Sequence, residues 1–198
     1  MSDKIDFEPE VSELVSLLLK NGDVVFDIGA NFGWHSIHFA QLVLPVGQVY
    51  CFEPVPDTNN ELQENIKLNF SDNPHIVSEK FALGDREGET DIYVPKRLGS
   101  SFATLFPQSI NKNFSDFLKY RVPLTTVDKY VEQRKISRLS FIKCDAEGAE
   151  SAIISGAKKT LHDLSPMILA EVNNESSRDV FSCLKKWGTR FFILKIAG

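Results

Sequence analysis

Short apolar runs alternate along this chain with stretches of helical period. Val11, Leu14, Val15 and Leu18 recur at three- and four-residue spacing, which predicts a helix over 9–20 stopped by Asn21 and Gly22. The run Val24-Val25-Phe26-Asp27-Ile28 predicts a buried strand. Gly29, Asn31 and Gly33 then turn the chain, because glycine and asparagine tolerate positive φ. A helix follows over 33–43 and breaks at Pro45 and Gly47. A second strand ends at Glu53, ahead of the turn Pro54-Val55-Pro56. Thr58 and Glu61 have the spacing of a capping box and open a helix to 69, with Leu62 and Ile66 inward. Strands are expected over 76–81 and 89–94, with 82–85 as a loop after the first.

Residues 95–123 depart from this pattern. They are rich in Ser, Asn, Phe, Lys and Arg with weak periodicity, and read as an insertion with some helix over 115–120. Regular alternation then resumes. A helix capped by 125–128 runs to 134, and a buried strand covers 139–145. Residues 146–150 lead into a helix carrying Ala152, Ile153, Ala157 and Leu161, and a strand covers 167–172. A helix capped by Ser177 puts Val180, Phe181, Leu184 and Trp187 on one side and ends at Gly188, before a last strand over 191–196. Strand and helix alternate throughout, which predicts an α/β fold: a mostly parallel twisted sheet with helices on both faces. Ligands of such sheets bind beyond the strand C-termini. Asp27, Glu53, residues 82–85, Asp145 and Glu171 all fall at or just after those ends, so they should converge on one rim.

Composition narrows the picture. The 198 residues suit one domain, 1–198, and 42% hydrophobic with 25% charged residues is ordinary for a globular chain. Lys and Arg number 22 against 27 Asp and Glu, a net charge of −5 that argues against a nucleic-acid backbone as the main partner. Cys51, Cys144 and Cys183 are far apart, with no Cys-x-x-Cys, and read as buried reduced thiols of a cytoplasmic protein. The N-terminus is polar and acidic, unlike a secretory signal, and no apolar run approaches a membrane span.

The chemistry of the first loop turns on Asp27. A dinucleotide fingerprint wants Gly-x-Gly-x-x-Gly, to bring backbone amides to a pyrophosphate. Here the spacing is Gly-x-x-x-Gly, and a carboxylate stands two residues before Gly29, where it would repel a pyrophosphate. It would instead attract an ammonium or a sulfonium. S-adenosylmethionine (SAM) carries both, with a ribose and no phosphate. Glu53, ending the next strand, suits the two ribose hydroxyls, a role that dinucleotide folds share.

Five blocks occur in order: Asp27-Ile28-Gly29-Ala30-Asn31-x-Gly33, Phe52-Glu53-Pro54, Ala82-Leu83-Gly84, residues 142–150 (Ile-Lys-Cys-Asp-Ala-Glu-Gly-Ala-Glu), and an apolar strand ending in Glu171. Together they resemble the FkbM-type SAM-dependent methyltransferases. The resemblance implies a Rossmann-like class I methyltransferase fold and O-methylation of hydroxyls on sugars, polyketides and related metabolites. It implies that Asp27, Gly29, Ala30, Asn31, Gly33, Glu53 and Pro54 hold SAM, with Ala82 and Leu83 flanking the adenine. That fold usually closes with a seventh, antiparallel strand after the sixth. The sequence stops just past the sixth, so that strand is either absent or the sequence is a truncated piece, and an unpaired edge there would favour a homodimer or make the chain poorly soluble.

Asp145 emerges beside the expected sulfonium, where it would hold the methionine ammonium or serve as general base. His35, at the start of the cofactor helix, is a second candidate base, since imidazoles accept protons near neutrality; on the alternative reading it is a polar helix-surface residue. Glu147 and Glu150 serve either catalysis or the start of the next helix. Lys143, inside an apolar strand, reads as the partner of a structural ion pair. Ser100, Ser101, Phe102 and residues 106–117 form either a lid or a minor core. Asp145, Glu171 and Asn173 have the ligand types of a Mg²⁺ site, which the resemblance does not call for, and no metal is expected. The acceptor is a small molecule or glycan that no motif names. A non-catalytic SAM-binding module, an NAD-dependent oxidoreductase and N-methylation are the alternatives.

Overall fold

The structure, a computed structural model, describes residues 8–96, 117–172, 180, 181, 184, 185 and 190–195. In chain order the elements are α1 (Pro9–Leu18), β1 (Val24–Ile28), α2 (Trp34–Val43), β2 (Gln48–Phe52), α3 (Pro56–Phe70), β3 (Ile76–Glu79), β4 (Ala82–Leu83), β5 (Gly88–Pro95), β6 (Phe117–Thr125), α4 (Val127–Gln133), β7 (Phe141–Cys144), α5 (Glu150–Ser155), α6 (Lys158–Leu164), β8 (Met167–Val172) and β9 (Phe191–Lys195).

Six strands form one sheet in the order β3-β2-β1-β7-β8-β9, and every neighbouring pair is parallel. Side chains alternate between its faces with the strand period of two. Phe26, Ile28, Ile142 and Cys144 pack on one face with α4, α5 and α6, through Val127, Tyr130, Ile153 and Leu161. Val25, Val49 and Phe141 pack on the other with α1, α2 and α3, through Val15, Phe39 and Leu62. The order reverses between β1 and β7, since β1 pairs with β2 on one side and with β7 on the other. This switch point is where an open α/β sheet leaves a crevice beyond its strand ends.

The expected architecture is present, with local corrections. The helix after β2 starts at Pro56 rather than at a Thr58 cap: the proline sits in the first turn, where its missing N–H costs nothing, and Thr58 is buried within the helix. The strand expected over 76–81 ends at Glu79, and Ala82 and Leu83 belong to a second, three-stranded sheet of order β4-β6-β5. No helix covers 117–120. Residues Phe117–Thr125 are a strand antiparallel to β5, in register from Pro95↔Phe117 to Gly88↔Leu124. The helix after residue 146 is two helices. A Cβ on Gly156, between them, would stand 1.9 Å from the Gly84 carbonyl oxygen, so the chain bends where the two backbones meet. Thr126 caps α4 as expected, accepting from the Lys129 amide at 3.1 Å.

Val180 and Leu184 are buried in the first core while Phe181 is exposed. Ser177, Cys183, Trp187, Asn173 and the proposed lid residues 100–102 and 106–116 lie outside the described residues. Among the described residues the main sheet has no antiparallel strand, and β9 pairs directly with β8. Cys51 and Cys144 are buried free thiols. No helix among the described residues is long and apolar enough to cross a membrane.

Candidate functional site

The loops after β1, β2 and β7 leave the sheet side by side and wall a cavity of about 270 Å³. Gly29 is where the first and last of them touch. Its φ is +78°, and a Cβ there would stand 1.7 Å from the Asp145 carbonyl oxygen. Only glycine permits that approach, so its missing side chain makes room for a neighbouring loop as well as for a ligand. The Gly29 and Ala30 amides donate to the Phe52 carbonyl at 3.0 and 3.1 Å. Glu53 then clamps the loop to β2, accepting from the Asn31 amide at 3.0 Å and from the Val55 amide at 2.9 Å. Burial pushes the Glu53 carboxyl up to about 7; the Val55 and Asn31 amides pull against this and Asp27 adds to it. Asn59, which the sequence did not flag, is fully buried, and its amide donates to the Glu53 and Glu79 carbonyls at 2.9 and 3.1 Å, tying the ends of β2 and β3.

The cavity has two unlike ends. Phe52, Phe81, Ala82, Leu83, Ile92 and Ile153 make one of them apolar. Ala82 and Leu83 lie there as expected; Ile92 arrives from the second sheet. Glu8, Lys143, Asp145, Glu147 and Glu171 make the other end charged, next to Trp34 and His35. Ala30, Asn31, Glu53 and Pro54 line the wall between.

Lys143 is 4% exposed, and its Nζ donates to Asp145 Oδ2 at 2.9 Å. Burial would lower its pKa, but Asp145, Asp27 and Glu8 outweigh burial and hold it as an ammonium. It is the ion pair expected from its place in the strand, and it also forms part of the cavity wall. Burial raises Glu171 to about 8, with Asp145 and Glu8 adding to the effect, and raises Glu147 to about 7, with Asp145 and Glu150 adding. Glu150 opens α5 and braces the loop before it: its Oε1 accepts from the Ala146 and Gly148 amides at 2.9 and 3.1 Å.

Three expected site residues stand apart from the wall or are otherwise engaged. Asp27 is fully buried and does not line the cavity; its Oδ2 accepts from the Ser36 hydroxyl at 2.6 Å, and no described residue bonds its Oδ1. Strand alternation puts it on the face covered by α2, beneath the loop. Gly33 begins α2 at φ +94° and packs toward Leu62 rather than the cavity. His35 lines the cavity, but its Nε2 lies 3.0 Å from Glu8 Oε2 and its Nδ1 is buried. That contact holds the Glu8 carboxyl below its usual range. His38, His75 and His162 lie off the wall. Asp145 and Glu171 come together, yet no group of three or more His, Cys, Asp or Glu among the described residues is placed to hold a metal.

This arrangement fits SAM by its chemistry: an apolar slot for a heterocycle, a carboxylate midway for a ribose, and carboxylates at the far end for ammonium and sulfonium. Comparison with known proteins agrees. The chain is 29% identical over 158 residues to the 2-O-methyltransferase NoeI of Sinorhizobium fredii, a match covering 75% of this chain and 63% of that protein. It is 24% identical over 181 residues to the hexuronic acid methyltransferase AglP of Haloferax volcanii, covering 88% of this chain and 67% of that protein. The chain thus spans about two thirds of the length of these relatives. A precorrin-6Y C5,15-methyltransferase from Geobacter metallireducens shares the fold at 18% identity, with a TM-score of 0.52 over 95% of this chain and 75% of that one. The methyltransferase FkbM domain family matches residues 27–191, from the buried Asp27 to the start of β9, and the chain belongs to that family.

Proposed function

We propose that this chain transfers a methyl group from SAM to a hydroxyl of a sugar-like acceptor, free or within a glycan. The observation that carries the reading is the cavity at the switch point, lined by an apolar set and a charged set of side chains together with Glu53. The name of one relative, a hexuronic acid methyltransferase, supports a sugar as acceptor, and that of another, a 2-O-methyltransferase, supports an oxygen as the methylated atom.

On this reading Phe52, Ala82 and Leu83 sandwich the adenine, Glu53 accepts from the ribose hydroxyls, and Gly29 to Asn31 line its path. Bound SAM supplies a methyl group on a sulfonium that is already a good leaving group, so the protein's task is alignment and proton removal. Asp145 takes the acceptor's proton. Lys143 fixes one oxygen of Asp145, and Glu171 stands beside the same carboxylate. Asp27 supports the loop through Ser36 and balances Lys143.

Calorimetric titration with SAM, S-adenosylhomocysteine and NAD, followed by label transfer from methyl-tritiated SAM to a panel of sugars, tests this. The expected result is micromolar binding of the first two ligands, none of NAD, and label on a sugar oxygen. Binding of NAD alone overturns the reading. Binding of SAM without transfer to any hydroxyl leaves a SAM-binding module.

A further inference from the structure

Trp34 opens α2 at the cavity wall and keeps 38% of its surface exposed, whereas Phe26, Phe39, Phe52 and Phe141 are fully buried. Leaving a large aromatic half-open costs apolar burial, and such a side chain is a platform for an amphipathic ligand. The adjacent His35 is tied to Glu8, whose carboxylate reaches the same cavity and lies close enough to Glu171 to raise that acid's proton affinity. An indole and two carboxyl groups therefore line the same cavity. A pyranose has matching surfaces: a face of C–H groups that stacks on an aromatic ring, and a rim of hydroxyls that donate to carboxylate oxygens.

Charge narrows the acceptor further. Among the described residues that line the cavity, Lys143 is the one lysine or arginine, and Asp145 already holds it. Glu8, Asp145, Glu147 and Glu171 crowd around it. An acceptor bringing its own carboxylate would face these acids, and among the described lining residues no second lysine or arginine stands ready to pair with it.

We propose that Trp34, Glu8 and Glu171 form the acceptor subsite, and that it takes a neutral pyranose in preference to a uronic acid. This rests on the methyl-transfer reading above, and it sets the chain's acceptor apart from that named for the hexuronic acid relative.

The sequence has two tryptophans, so Trp187→Phe leaves Trp34 as the sole tryptophan reporter. In that background, with S-adenosylhomocysteine present, methyl glycosides of neutral hexoses and of the matching hexuronic acids are titrated against tryptophan emission. The neutral glycosides should change the emission saturably and bind at least about tenfold tighter than the uronates. In the otherwise native chain, Trp34→Ala should abolish sugar binding in ligand-observed NMR while SAM affinity holds, Trp34→Phe should restore it, and Glu8→Gln should narrow the preference against uronates. Uronates binding as tightly as neutral sugars, or a flat Trp34 emission with every sugar, overturns the proposal. Saturable neutral-sugar binding without methyl transfer upholds the subsite and counts against the methyl-transfer reading instead.

Discussion

The apolar and charged ends of the cavity are built from different strands and held by opposite means. Residues of β2 and β4 reach the apolar end through Phe52 and Leu83, side chains that belong to the packed core and would be there with no ligand to serve. The charged end uses the other parity of β7 and the end of β8, where Lys143, Asp145 and Glu171 replace what would otherwise be core. Burial stabilises the first end. At the second, burial is a cost, tolerated because Lys143 is bonded to Asp145 and faces Asp27 across the strand pair. One end of the site is thus a by-product of folding, and the other is stability given up for chemistry.

The largest break in that contrast is Lys143→Met. It leaves Asp145 and Asp27 without their cation, and urea unfolding should register a loss of about 3–5 kcal/mol. Adding Asp145→Asn should recover part of it, since a neutral amide no longer needs the ammonium; a double variant as weak as the single one would show that Lys143 acts through packing alone. At the apolar end, Leu83→Ala should cost about 2–3 kcal/mol, the low part of the range for buried leucines, because the side chain already borders a void. Its SAM affinity should fall, and the pH dependence of unfolding should not change.

Glu53→Gln tests the junction. The glutamine keeps one acceptor oxygen but turns an NH₂ toward the Asn31 or Val55 amide, two donors face to face. About 1.5 kcal/mol of stability and roughly tenfold in SAM affinity should be lost. Asp27→Asn should weaken SAM binding less, because Asp27 lies under the loop rather than in the wall; an equal or larger loss would restore it to direct contact.

How far the sequence foretold this follows the range of the forces involved. The strands β1, β2, β7 and β8 are dense apolar runs, and their C-terminal acids converge as expected, because a parallel sheet aligns strand ends whatever lies between them. The distance of Asp27 from Gly29 points it to the ligand, whereas its strand parity with Val25 points it toward α2, where it bonds Ser36. β6 was missed because only Val122 and Leu124 of its nine residues are deeply buried, while Lys119 and Arg121 face solvent and Pro123 argues against a strand. Glu8, Trp34 and Asn59 gave no local signal. Their roles come from contacts across the chain, such as Glu8 to His35 and Asn59 to two strand ends, and no period records those.

The smallest predicted effect is the most diagnostic of the charged end. Glu53, Glu147 and Glu171 have folded-state pKa values raised to about 7, 7 and 8. Between the unfolded carboxyl value and those values the folded state holds more protons than the unfolded chain, so stability falls as pH rises. The ligand-free protein should be most stable near pH 5 and lose Tm toward pH 8, by roughly 2–4 °C for each kcal/mol involved. Glu8 is shifted the other way, so its contribution is lost only as pH falls below the unfolded carboxyl value, outside this window. A cationic ligand reverses the balance, because it favours the ionised acids. SAM should therefore bind more tightly as pH climbs from 6 to 8 and expel protons when it binds, which calorimetry in two buffers of unlike ionisation enthalpy counts directly. A Tm that rises steadily from pH 5 to 8, with no proton release on binding, would mean that these acids are solvated like surface residues, and the contrast between the two ends would reduce to one of shape.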